Sequence, residues 1–217
     1  MSRRHFTRAA GSLVLLLNTM ECMAPRDSKP HVCPWWVGYL LINPLRQLLE
    51  KPERILSPYA REGMTVLEIG PGMGYYSLPL ARMVGEKGRV ICVDVQEKML
   101  KTLRKRAAKA GVLDRITTVL ASEDSLHLDA FQASVDFVFA FAVVHEVPDQ
   151  GRLFEQAHQA MKPDGHLLVS EPKGHVKPQE FEKTIELAKS KGFGVTHTVD
   201  IWRYYSVLMR KKHPNLT

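Results

Sequence analysis

Val66-Leu67-Glu68-Ile69-Gly70-Pro71-Gly72-Met73-Gly74-Tyr75 is the stretch that decides the fold. Met64–Ile69 is a short apolar run of strand length. The glycines after it permit a tight bend and a close backbone approach to a ligand. Tyr75–Val84 then reads as a helix stopped by Gly85, with Pro79 near its first turn, where a missing N–H costs little. Strand, bend and helix make a βα unit whose backbone N–H groups point at whatever sits on the bend.

Working outward, the unit repeats. Arg89–Val93 is a second strand and Gln96–Ala110 a helix ended by Gly111. Arg115–Ala121 and Val135–Phe141 are strands three and four, and Asp149 is an N-cap for a helix reaching about Met161. Lys162-Pro163-Asp164-Gly165 signals a turn before a fifth strand, His166–Ser170. Pro178 opens a helix with Gly192 as its stop, and Val195–Val199 and Tyr204–Met209 form a closing strand pair. Near-continuous apolar strands separated by helices predict an α/β, doubly wound, largely parallel sheet covered on both faces.

Upstream, residues 1–30 read as a loosely ordered segment. Residues 31–60 read as a helical, aromatic lid carrying Trp35, Trp36 and Tyr39, and residues 61–217 as the main domain. Paired tryptophans supply flat apolar walls for an apolar or aromatic ligand, or simply pack on the sheet. Arg3-Arg4 followed by Leu13–Leu17 is similar to a twin-arginine export signal. The run is too short to span a bilayer, and no small-x-small cleavage site follows. The expectation is therefore a cytoplasmic protein without stable membrane insertion. Met20 and Met23 offer alternative starts.

Of 217 residues, 45% are hydrophobic and 24% charged, ordinary for one globular domain, and the net charge is +7. Three cysteines, Cys22, Cys33 and Cys92, leave one unpaired and form no C-x-x-C, so neither a disulfide framework nor a metal site is expected. Cys92 falls inside an apolar strand and reads as a small buried hydrophobe. Lys101, Lys105 and Lys109, with Arg104 and Arg106 nearby, make a basic stripe. Without aromatic interleaving it reads as a solvated helix face rather than a nucleic-acid groove.

The glycine loop departs from a dinucleotide fingerprint. Counting from Gly70 and Gly72, the third glycine position is Tyr75, too bulky for close helix–strand packing. Glu68 beside the loop would repel a pyrophosphate but attract an ammonium. Asp94, about 20 residues after the glycines, stands where a ribose-binding acid belongs. An ammonium, a carboxylate, a ribose and no phosphate describe S-adenosylmethionine (SAM).

These residues, with Val93-Asp94-Val95, Asp136-Phe137-Val138-Phe139-Ala140-Phe141 and Leu168-Val169-Ser170-Glu171-Pro172, make the chain resemble the class I SAM-dependent methyltransferases over about residues 60–210. The likeness is greatest to the small-molecule subgroup with quinone-biosynthesis and arsenite methyltransferases. It implies a Rossmann-like sheet of seven strands with the last antiparallel. By that resemblance Glu68, Gly70, Gly72 and Gly74 hold the methionine part and Asp94 the ribose. Val95 and Met99 flank the adenine, Ala140 belongs to the cofactor seat, and Ser122 stands where the family has an acid that reaches the adenine amino group, with Glu123 or Asp124 as its substitute. His145, in the loop after strand four, is a candidate general base, with Glu146 to orient it or position the substrate. The expected partner is a small-molecule methyl acceptor. An RNA-directed enzyme and a SAM-binding module without chemistry are the alternatives.

Overall fold

The computed structural model describes residues 50–212. The twin-arginine-like segment and Trp35, Trp36 and Tyr39 lie outside the described residues. A short helix, α1 (Pro52–Leu56), precedes a sheet built from β1 (Thr65–Ile69), β2 (Arg89–Asp94), β3 (Ile116–Leu120), β4 (Val135–Phe141), β5 (Met161–Pro172), β6 (Phe193–Thr198) and β7 (Tyr204–Lys211). Between them run α2 (Ser77–Met83), α3 (Glu97–Lys109), α4 (Gln150–Ala160) and α5 (Pro178–Ser190). The strand order is β3-β2-β1-β4-β5-β7-β6, and β7 runs antiparallel to both neighbours. The expected doubly wound sheet with its antiparallel last strand is present.

The order reverses between β1 and β4, so the loops after these strands diverge and leave a crevice at their carboxyl ends. Alternation along the strands divides the core in two. Leu67, Ile91, Val138, Leu167 and Val169 face α4 and α5, where Phe154, Ala157, Ile185 and Ala188 meet them. Val66, Cys92, Phe137, Phe139 and Leu168 face α1, α2 and α3 through Leu56, Leu80 and Leu103. Burying a side chain such as Leu103 contributes about 1.5–3 kcal/mol, so both faces of the sheet are anchored.

Local signals worked where they are self-contained. Asp149 Oδ1 accepts Arg152 N–H at 2.9 Å as the expected N-cap of α4, and Glu180 reaches back to Lys177 N–H at 2.8 Å to start α5. The turn at Lys162–Gly165 is instead absorbed into β5. Strand pairing runs from Val135 with Met161 to Phe137 with His166, and the extra residues bulge out with Asp164 left-handed at φ 63°. Lys162 closes the bulge by donating to Asp136 at 2.7 Å. Likewise β6 begins at Phe193, two residues before the expected start, because the Phe193 side chain is needed in the core. Among the described residues no helix is long and apolar enough to cross a membrane.

Candidate active site

The glycine bend is left-handed at all three glycines, with φ of 69°, 52° and 84° at Gly70, Gly72 and Gly74. Two of them explain the residue choice. A Cβ on Gly70 would lie 2.5 Å from Val143 Cγ2, so only glycine lets the loop after β4 close against the bend. A Cβ on Gly72 would meet nothing within 4 Å. Gly72 is therefore bare toward open space, which is what a backbone cradle for a ligand requires.

Asp94 closes the far side. Its Oδ2 accepts Gly72 N–H at 3.2 Å and its Oδ1 accepts Gln96 N–H at 2.9 Å. Each carboxylate oxygen has a second lone pair, leaving acceptors for a pair of ribose hydroxyls. Burial pushes the Asp94 carboxyl up from its ordinary value, while backbone N–H groups of Gln96, Gly72 and Val95 counter this. Glu68 sits deeper, only 2% exposed, with Cys92 Sγ 3.7 Å from its Oε2. Desolvation drives the Glu68 pKa up to about 7, opposed in part by Ser77 and Cys92. A carboxyl so placed gains most from a cation arriving above it.

Arg106 holds the bend from behind, donating from Nη1 to Met73 O. The lysines of the basic stripe are solvated as expected, but its arginines are structural, for Arg104 donates to Thr118 Oγ1 at 2.8 Å. Helical spacing marked α3's basic residues without showing which of them turn inward.

The remaining expected cofactor residues separate. Val95 is 45% exposed at the rim, and Met99 is buried on α3. Ser122 and Glu123 are exposed, and Ser122 Oγ donates to Asp124 Oδ1 at 2.7 Å, closing their own loop. Ala140 is fully covered in central β4, its side chain packed with the α4–α5 side.

Past β4 the chain turns through left-handed Ala142 (φ 54°), whose N–H donates to Ser170 O at 2.7 Å, into a 3-10 turn at Val144–Glu146. A non-glycine residue held at positive φ beside a crevice marks a strained, tied-down turn. It carries His145 to the same sheet edge as the glycine bend. The carboxylate bonded to His145 is Glu171, near the end of β5, through Oε2 to Nδ1; its Oε1 accepts Val144 N–H at 2.8 Å. Glu146, the sequence neighbour expected to orient His145, is not the acid that holds Nδ1. Glu171 comes from 26 residues away, a pairing only the β4–β5 register creates. Toward this edge the buried rings of Tyr76 and Phe141 pack with half-buried Tyr204, Phe141 lying 4.8 Å from Tyr76 and 4.4 Å from Tyr204 between ring centroids.

A reversed strand order, a bare glycine bend and a strand-end acid define a class I nucleoside-binding transferase. A family model described as "Methyltransferase domain" matches residues 60–211. The ubiquinone/menaquinone biosynthesis C-methyltransferase of Marinomonas sp. is 28% identical over 173 residues, 77% of this chain and 67% of that protein. The Escherichia coli protein of the same name is 31% identical over 168 residues, 71% of this chain and 62% of the relative, so the match spans about two thirds of these relatives' length. A SAM-dependent methyltransferase from Aquifex aeolicus superposes with a TM-score of 0.73 at 28% identity, covering 82% of this chain and 98% of that one. The chain belongs to the methyltransferase domain family of class I SAM-dependent enzymes, and SAM is its cofactor.

Proposed function

We propose that this protein transfers the methyl group of SAM to a small apolar or aromatic acceptor, and that the reaction is a quinone-related C-methylation in the cytoplasm. The observation that carries this reading is the shared sheet edge. Glu68, the bare Gly72 bend and Asp94 stand on one side of it and His145 on the other, above the Tyr76–Phe141–Tyr204 rings. The likeness to the two ubiquinone/menaquinone biosynthesis C-methyltransferases supports the quinone class.

SAM supplies an electrophilic methyl group, so the chain's own residues have to bind, align and exclude water. The bare face of the Gly70–Gly74 bend would take the methionine part, with Glu68 beneath its ammonium. Asp94 would take the ribose, and Val95 and Met99 the flanks of the adenine. His145 would receive the proton of an acceptor that starts protonated. Trp35, Trp36 and Tyr39, in the 31–60 segment, would supply further apolar walls.

Labelled methyl transfer from SAM into a cell metabolite extract tests the reading, alongside calorimetry of SAM binding. Label in a low-molecular-weight aromatic product is the expected result. Label confined to RNA, or SAM binding with no transfer at all, overturns it.

A further inference from the structure

Glu171 is a buried carboxylate, 1% exposed, whose two oxygens are assigned to different tasks. Oε1 holds the 3-10 turn through Val144 N–H at 2.8 Å, and Oε2 holds His145 Nδ1. Burying a carboxylate costs several kcal/mol, and a neutral amide would fasten the turn as well without that cost. The charge is explained if it answers a positive charge that forms on the imidazole. His145 differs from its partner in being 25% exposed, so the pair joins a dry anchor to an accessible ring.

Resting on the methyltransferase reading above, we propose that Glu171 is a positioning residue that makes His145 a base. We further propose that the acceptor is a molecule whose methylated atom carries a proton, such as the hydroxyl or the adjacent ring carbon of a hydroxylated aromatic. With Nδ1–H donated to Glu171, the lone pair lies on Nε2. As the acceptor atom bonds to the methyl carbon, the carbon–sulfur bond breaks with its electrons on sulfur. The acceptor proton passes to Nε2, and Glu171 stabilises the resulting imidazolium. A thiolate or trivalent arsenic acceptor arrives without a proton to lose and has no use for the pair. Charged and titratable groups beside it include His175, whose ring centroid is 6.1 Å from that of His145, and Glu146 on the same turn; Lys173, two residues past Glu171, lies over the Tyr205 ring at 5.4 Å.

The test uses the full chain, ¹⁵N-histidine labelling and two variants. Glu171→Gln keeps an oxygen for Val144 N–H but presents an amide N–H to Nδ1, forcing the proton to Nε2; His145→Ala removes the base. Wild-type His145 is expected as the Nδ1–H tautomer and Glu171→Gln as the Nε2–H tautomer. SAM affinity should stay within threefold in both variants. With 1,4-dihydroxynaphthalene as probe, turnover should fall at least 100-fold in each variant with KM little changed, and the acidic limb of the pH profile should vanish in His145→Ala. Mass spectrometry separates ring-carbon from oxygen methylation.

An Nε2–H tautomer in the wild type, or turnover within threefold in Glu171→Gln, overturns the positioning role. Faster methylation of arsenite than of the naphthalene, or methylation of neither with SAM bound, overturns the acceptor class. Failure of the wild type to bind SAM sinks the underlying reading instead, and calorimetry distinguishes the two.

Discussion

Replacing Glu68 by Gln leaves the shape under the glycine bend nearly unchanged and removes a group that burial holds at a pKa of about 7. In the unfolded chain the same carboxyl titrates near its ordinary value of 4.5. Below pH 4.5 both states are protonated and folding loses nothing. Between pH 4.5 and 7 the unfolded state has released its proton and the folded state has not, so stability declines as pH rises, then levels off. The displacement from 4.5 to about 7, at 1.36 kcal/mol per pKa unit, makes that decline about 3 kcal/mol. Urea denaturation of ligand-free wild type and Glu68→Gln at pH 5, 6, 7 and 8 measures it. The variant should flatten this part of the profile and be the more stable protein at pH 8 by up to about 3 kcal/mol, which is roughly 6–12 °C in Tm. It should also bind SAM more weakly, because the ammonium loses its carboxylate. In the wild type, SAM binding near pH 6.5 should release a proton to the buffer. Parallel stability profiles in the two proteins would refute the reasoning, since Glu68 would then be ionised in the folded state at pH 5.

Three further outcomes are expected. Asp94→Ala removes a charged acceptor from Gly72 and Gln96 N–H and from the ribose site; at about 1.5–3 kcal/mol for a hydrogen bond to a charged group, SAM affinity should drop roughly 10- to 100-fold by calorimetry. Arg106→Met retains the aliphatic stem but frees Met73 O, so SAM binding should weaken about tenfold, a loss of the 1.4 kcal/mol scale, with little change in Tm. Gly70→Ala meets both a left-handed backbone, costing about 1–2 kcal/mol, and Val143 at 2.5 Å, costing about 1–3 kcal/mol more. Adding Val143→Ala should recover the second part in a melting experiment and leave the first.

Residues whose task is local were legible in the chain. Glycines at a strand end, an acid closing the next strand and Asp149 before a helix each carry their reason within a few positions. Glu171 was not, because its contact with His145 depends on β4 and β5 lying in register, whereas sequence adjacency points only to Glu146. Arg106 hid beside the lysine stripe of the same helix, since charge pattern alone cannot say which side chain turns back toward a carbonyl. Ala140 shares a motif with the site, yet its side chain packs in the core on the α4–α5 side. The bulge at Asp164 escaped notice because Lys162-Pro163-Asp164-Gly165 makes a turn whether or not the strand continues through it.

The crevice draws its two walls from different strands: β1 and β2 carry the cradle, β4 and β5 carry the histidine and its acid. Beneath the crevice they are joined by the pairing of β1 with β4 and the packing of Tyr76 on Phe141, and at its mouth Val143 closes against Gly70. Acceptor preference is thus separable from cofactor affinity. A library confined to the loops after β4 and β5, sparing Val143, should redirect this scaffold to new molecules while its grip on the methyl donor survives.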